Sequence, residues 1–122
     1  MEIAVDFDGT VVEHRYPDIG QEAPFAVDTL KWLISNGHNI ILFTMRSGYH
    51  LGQAIDWFSE KEIQLYGVQY NPTQAKWSQS NKCYAQLYID DAAFGCPLIL
   101  PKGFYRPCVD WIKVKEYFEK GV

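Results

Sequence analysis

Two short apolar runs in this chain stop abruptly in acid. Met1 to Val5 (MEIAV) breaks off at Asp6-Phe7-Asp8-Gly9-Thr10, and Leu87 to Ile89 (LYI) breaks off at Asp90-Asp91. Such runs read as strands buried on both faces, the pattern of a parallel sheet. Open parallel sheets bind ligands beyond the carboxyl ends of their strands. The two acid clusters are therefore expected to converge in one pocket. Carboxylates that close repel one another by roughly 332/(εr) kcal/mol, several kcal/mol at intermediate dielectric. A divalent cation would offset that repulsion, and an all-oxygen donor set suits Mg²⁺.

The rest of the chain continues the alternation. Ile3-Ala4-Val5 is the first strand, and Val11 to Ala23 reads as a polar excursion above the sheet end. Pro24 opens a helix whose apolar stripe is Phe25, Leu30, Leu33 and Ile34, closed by Asn36-Gly37. Asn39 to Phe43 is a second strand, ending in Thr44-Met45-Arg46-Ser47-Gly48. A helix from about His50 to Lys61 follows, with Leu51, Ala54, Ile55 and Phe58 on one side. Leu65 to Tyr70 reads as a third strand, Thr73 to Asn81 as a loop or short helix, and Tyr84 to Ile89 as a fourth strand. Leu98-Ile99-Leu100 is a candidate fifth, and a last helix spans Val109 to Glu119 with Trp111, Ile112, Val114, Tyr117 and Phe118. Strands alternating with helices predict a single three-layer α/β domain over residues 1–122, a doubly wound, Rossmann-like parallel sheet of about five strands.

Composition narrows the function classes. A net charge of −4 argues against a nucleic-acid surface, without excluding a nucleotide substrate. No apolar run approaches the length of about 20 residues that crosses a bilayer, and Glu2 and Asp6 in the opening strand do not fit a signal peptide. Cys83, Cys96 and Cys108 are odd in number and irregularly spaced, and His14, His38 and His50 do not cluster with them. That pattern fits a reducing cytoplasm better than a zinc site or a disulfide framework. The 16% aromatic content suits either a small core or a homo-oligomer contact.

Residues two apart on a strand share a face, so Asp6 and Asp8 can address one site. Gly9 would let the backbone turn tightly and approach an anion, with Thr10 capping the turn. At the next strand end, the Thr44 hydroxyl and the exposed N–H groups of the Met45-Arg46 loop are ready anion donors. Lys82, just before the fourth strand, is the natural counter-charge to an acidic pocket. His14, Arg15 and Tyr16 on the excursion, and Arg46 beyond Thr44, are candidate substrate contacts.

The ordered set Asp6-x-Asp8-Gly9-Thr10, Thr44, Lys82 and Asp90-Asp91 resembles the haloacid dehalogenase superfamily of phosphotransferases, across nearly the whole chain. The resemblance implies that Asp6 is the nucleophile and Asp8 the general acid/base. Thr44 would bind the phosphoryl group, and Lys82, with Lys76 as its nearby competitor, would bridge that group to the nucleophile. Mg²⁺ would be held by Asp6, the backbone carbonyl of Asp8, and Asp90, with Asp91 acting directly or through water. An acid at position 8 fits a phosphatase or phosphomutase rather than a carbon–halogen hydrolase. The intervals from Asp8 to Thr44 and from Thr44 to Lys82 hold no separate cap domain, so the expected activity is a capless phosphomonoester hydrolase acting on a phosphorylated substrate. The alternatives are a phosphomutase or other phosphotransferase, and a receiver-like signalling domain. The receiver would place its paired acids after the first strand, whereas Asp90-Asp91 come late.

Overall fold

A computed structural model of the protein describes residues 1–121. The first strand, β1 (Glu2–Val5), lies inside a four-stranded parallel sheet. Its neighbours are β4 (Asn39–Leu42) on one side and β6 (Leu87–Ile89) on the other, and β5 (Gly67–Val68) pairs with β4 at the far edge. Register pairs Val5 with both Leu42 and Ile89, so the three strands end level with one another. The ladder continues for one more step, Asp6 N–H donating to Ile89 O (3.0 Å) and Phe43 N–H to Val5 O (2.9 Å). The acids that follow β1 and β6 therefore start side by side, at the same end of the sheet.

Three helices cover the sheet: α1 (Ala26–Ser35), α2 (Gly48–Glu60) and α3 (Trp111–Glu119). Ile3, Val5, Ile40, Leu42 and Ile89 join one buried cluster with Leu30 and Leu33 of α1, Ala54, Trp57 and Phe58 of α2, and Val114 and Phe118 of α3. Register and strand alternation put these sheet residues on one face. Ala4 and Ile41, equally buried, face the other way together with Tyr88. That second face meets the long crossover from β5 to β6, which contains a 3-10 turn at Gln74–Lys76; the Tyr88 hydroxyl donates to the Cys83 carbonyl there.

Helix α1 ends as its Asn-Gly signal predicts. Gly37 takes φ +87°, and the His38 and Gly37 N–H groups cap the carbonyls of Leu33 and Ile34 (3.1 and 3.0 Å). At its start the Glu22 carboxylate accepts from Val27 N–H (3.0 Å). The side chain of Asp110 accepts from Lys113 N–H at the start of α3.

Several expectations need correction. The excursion at Val11–Ala23 is an antiparallel hairpin, β2 (Val12–Arg15) with β3 (Asp18–Glu22). Its acid Glu13 is buried, accepting from the N–H of Tyr105, so polar content there does not mean loop. The main sheet has four strands, not five. Leu98–Ile99 forms β7 and pairs antiparallel with β8 (Cys108–Val109) in a ladder of its own. The third strand shrinks to two residues because Gln69 adopts φ +65° and turns the chain out of extension. Ile112 and Tyr117 of α3 are half exposed, and Trp57, not Leu51 or Ile55, completes the buried stripe of α2. All three cysteines are free, and no helix among the described residues is long and apolar enough to cross a membrane.

Candidate metal and phosphoryl site

The chain after β1 is held by a buried ring. Phe7, fully buried, packs against Trp57 and Phe58 with ring centroids 5.6 and 5.7 Å away. Its carbonyl accepts the N–H groups of Thr10 (3.1 Å) and Val11 (2.9 Å), which curls residues 6–12 over the end of the sheet. Asp6 and Asp8 leave on either side of that anchor.

Gly9 has φ +84°, and a Cβ there would lie 2.4 Å from Asp91 Oδ2. Only glycine allows Asp91 this close to the first acid loop. The buried Thr10 hydroxyl lies 3.0 Å from Asp6 Oδ2 and 3.3 Å from Asp91 Oδ1, and it accepts from Asp91 N–H at 3.1 Å. Having a single proton to give, it serves one carboxylate at a time. The indole Nε1–H of buried Trp111 donates to Thr10 O (2.8 Å), so the first turn of α3 props the same loop from behind.

One carboxylate oxygen from each of Asp6, Asp90 and Asp91 lies within 4.8 Å of the others. Burial, then the charge of Asp90, then contact with Asp91 push the Asp6 carboxyl up to about 8, against the opposing Thr10 hydroxyl. Burial contributes most to that shift, and the neighbouring acids add to it. Three hard oxygen donors crowded in this way fit Mg²⁺, and a cation there would remove the cause of the crowding.

On the other side of Asp6, Thr44 follows β4. Gln69 clamps its main chain twice: Oε1 accepts from Thr44 N–H (2.8 Å) and Nε2 donates to Thr44 O (2.6 Å). The Thr44 hydroxyl accepts from Arg46 N–H (3.1 Å), which leaves its own proton free to donate. Met45 N–H has no hydrogen-bond partner among the described residues. A cavity of about 440 Å³ is lined by Asp6, Asp8, Asp90 and Asp91, by Thr44, Met45 and Arg46, and by His14 and Tyr16 of the hairpin.

Asp8 is not one of the clustered acids. Its two oxygens accept from Arg46 Nε and Nη2, both at 2.8 Å. Arg46, 2% exposed, is thereby taken up inside the protein, where a substrate contact had been expected. Arg15 points elsewhere, pairing with Glu13 (3.2 Å) and lying 4.5 Å from the Tyr105 ring centroid. His14 and Tyr16 do reach the cavity. Lys82 does not line it; its ammonium sits 5.6 Å from the Tyr88 ring centroid, two residues before Asp90, and makes no ion pair among the described residues. Three supporting roles are not readable from the sequence: the Gln69 clamp on Thr44, the Trp111 indole bond to Thr10, and the contact of the Thr10 hydroxyl with both Asp6 and Asp91. Only the Asp-x-Asp-Gly-Thr spacing pointed to any of them.

No protein-family model matches the chain, and no curated protein does. The chain is similar over its whole length to a conserved protein of solved structure from Bacteroides thetaiotaomicron. The two are 39% identical, the match covers 100% of this chain and 92% of that one, and the TM-score is 0.83. At that identity and coverage, this chain belongs to the same family as the conserved Bacteroides thetaiotaomicron protein.

Proposed function

We propose that this protein is a Mg²⁺-dependent phosphomonoester hydrolase, a capless member of the haloacid dehalogenase type acting through an aspartyl phosphate. The observation that carries the reading is the meeting of Asp6, Asp90 and Asp91 at adjacent parallel strand ends, flanked by a free Thr44 hydroxyl and an unpaired Met45 N–H. The doubly wound arrangement of that fold belongs to the same proposal, with the β5–β6 crossover serving the second face. The similarity to the Bacteroides thetaiotaomicron protein extends the fold, not an activity.

Asp6, Asp90 and Asp91 would hold the ion, with the Asp8 carbonyl as a further oxygen donor. Bound there, Mg²⁺ would neutralise the acids and the phosphoryl oxygens. The Thr44 hydroxyl and Met45 N–H would hold the phosphoryl group from the other side. An Asp6 oxygen then bonds to phosphorus as the ester P–O bond breaks, and the leaving oxygen takes a proton from the Asp8 carboxyl, one oxygen of which gives up its bond to Arg46 to carry that proton. Water attacks phosphorus next, giving a proton back to Asp8 as the Asp6–phosphorus linkage breaks and phosphate leaves. Lys82 can join only by leaving Tyr88. No unpaired lysine or arginine lines the cavity, so a substrate with one phosphoryl group and an uncharged remainder fits best.

The test is steady release of phosphate from p-nitrophenyl phosphate with Mg²⁺, lost on chelation and in Asp6→Asn. Acid quenching during turnover should trap a base-labile phosphoryl group on the peptide containing Asp6. An active Asp6→Asn enzyme would rule out the nucleophile. A single stable phosphorylation without turnover would favour the receiver-like reading.

A further inference from the structure

Arg46 has more partners than a structural ion pair requires. Each of the five N–H donors of its guanidinium is taken by a different bond. Nε serves Asp8 Oδ2 and Nη2 serves Asp8 Oδ1, while Nη2 also reaches Asp18 O (2.9 Å). Nη1 reaches Pro17 O (3.3 Å) and His50 O (3.4 Å). The rings of Phe7 and Tyr16 lie 5.2 and 5.1 Å from its central carbon. The main chain of Arg46 is fixed as well, its N–H donating to Thr44 Oγ1 and its carbonyl accepting from Gln69 Nε2 (3.5 Å).

We infer that Arg46 is the positioning residue of Asp8, and that it ties the seat of this carboxylate to the seat of the β2–β3 hairpin. One planar fork grips the Asp8 side chain along one edge and the backbone at the hairpin's turn, residues 17 and 18, with two of its three remaining donors. The same hairpin brings His14 and Tyr16 to the cavity. A substrate that presses on Tyr16 therefore presses on the cation that aims Asp8. Lysine cannot replace the fork, because a single ammonium has neither the paired parallel donors nor the reach to three carbonyls.

The consequence for catalysis rests on the phosphatase reading; the tie itself is a property of the fold. In Arg46→Lys, turnover of an alkyl phosphate should fall about tenfold more than turnover of p-nitrophenyl phosphate, whose leaving group needs little protonation, and KM should stay within about twofold. Asp8→Asn should show the same pattern, and the double variant should be no more than about twofold worse than Asp8→Asn alone. Equal loss on both esters, a raised KM with kcat intact, or multiplying losses would overturn the assignment. Hydrogen exchange separates the two claims. In Arg46→Lys and in Asp8→Asn, with folding checked by melting curves, the β2 and β3 amides should exchange about tenfold faster while those of β1 and β4 hold. Unchanged hairpin exchange would overturn the tie, and wild-type protein that hydrolyses no phosphomonoester would overturn the phosphatase reading while leaving that measurement decisive.

Discussion

Replacing Asp90 by asparagine tests the crowding of the acidic site without touching the hydrophobic core. The folded, metal-free protein holds the Asp6 proton to about pH 8, whereas the unfolded chain releases it near 3.8. The folded state thus binds the extra proton between those values. Its stability is full below about pH 4, declines as the pH rises toward 8, and then levels off. Burial is the largest cause of that decline and the Asp90 charge is the next. At a separation of 4.8 Å, two unit charges repel by about 3.5 kcal/mol at an effective dielectric of ~20 and by about 0.9 kcal/mol in water. All three acids are half-buried, so the relief lies between those limits, about 1–2 kcal/mol, or roughly 4–8 °C in Tm for a domain of this size. Metal-free Asp90→Asn should therefore melt higher than wild type at pH 9, and close to it at pH 5, where Asp6 is protonated in both. Millimolar Mg²⁺ should raise the melting temperature of wild type at pH 9 and leave the variant where it was. Thermal melts with chelator and with Mg²⁺ at both pH values decide the matter. An identical pH decline in the two proteins, or a variant that Mg²⁺ stabilises as well as wild type, would refute the reasoning.

Two further substitutions probe the frame of the site. Gly9→Ala puts a methyl group 2.4 Å from Asp91 Oδ2 at φ +84°; the left-handed backbone alone costs about 1–2 kcal/mol, so urea unfolding should show at least that loss, and Mg²⁺ binding should weaken. An unchanged Mg²⁺ titration midpoint would mean that Asp91 does not depend on this close approach. Gln69→Leu strands the Thr44 N–H and C=O groups that its amide now pairs; a loss of about 2–3 kcal/mol is expected in urea unfolding, with a raised KM for p-nitrophenyl phosphate, and a loss below about 0.5 kcal/mol would show that water replaces the clamp.

The acid cluster was legible because the short runs Ile3-Ala4-Val5 and Leu87-Tyr88-Ile89 both stop in carboxylate, a local signal with one physical cause. Assignment of both to a parallel sheet put the acids at the same end of it, and the strand order then set them side by side. What was not legible depends on partners far along the chain. Arg46 reads as an exposed loop residue until Asp8, 38 positions earlier, and Asp18, 28 positions earlier, come beside it. Glu13 made the hairpin look like a loop, since its burial rests on Tyr105, 92 residues away. The third strand was overextended for a different reason. Leu65 to Tyr70 has strand composition, and the left-handed turn at Gln69 is imposed by tertiary bonds to Leu42 and Thr44.

Strand β6 is one of the two edges of its sheet, three residues long and hydrogen-bonded to β1 alone. Two of the three clustered acids hang from this weakly anchored margin, and the third from the interior strand. An ion shared among them would rivet margin to interior, closing a chain loop of more than eighty residues with no covalent bond. Loading the site would thus stiffen an edge of the sheet that backbone pairing secures on one side only.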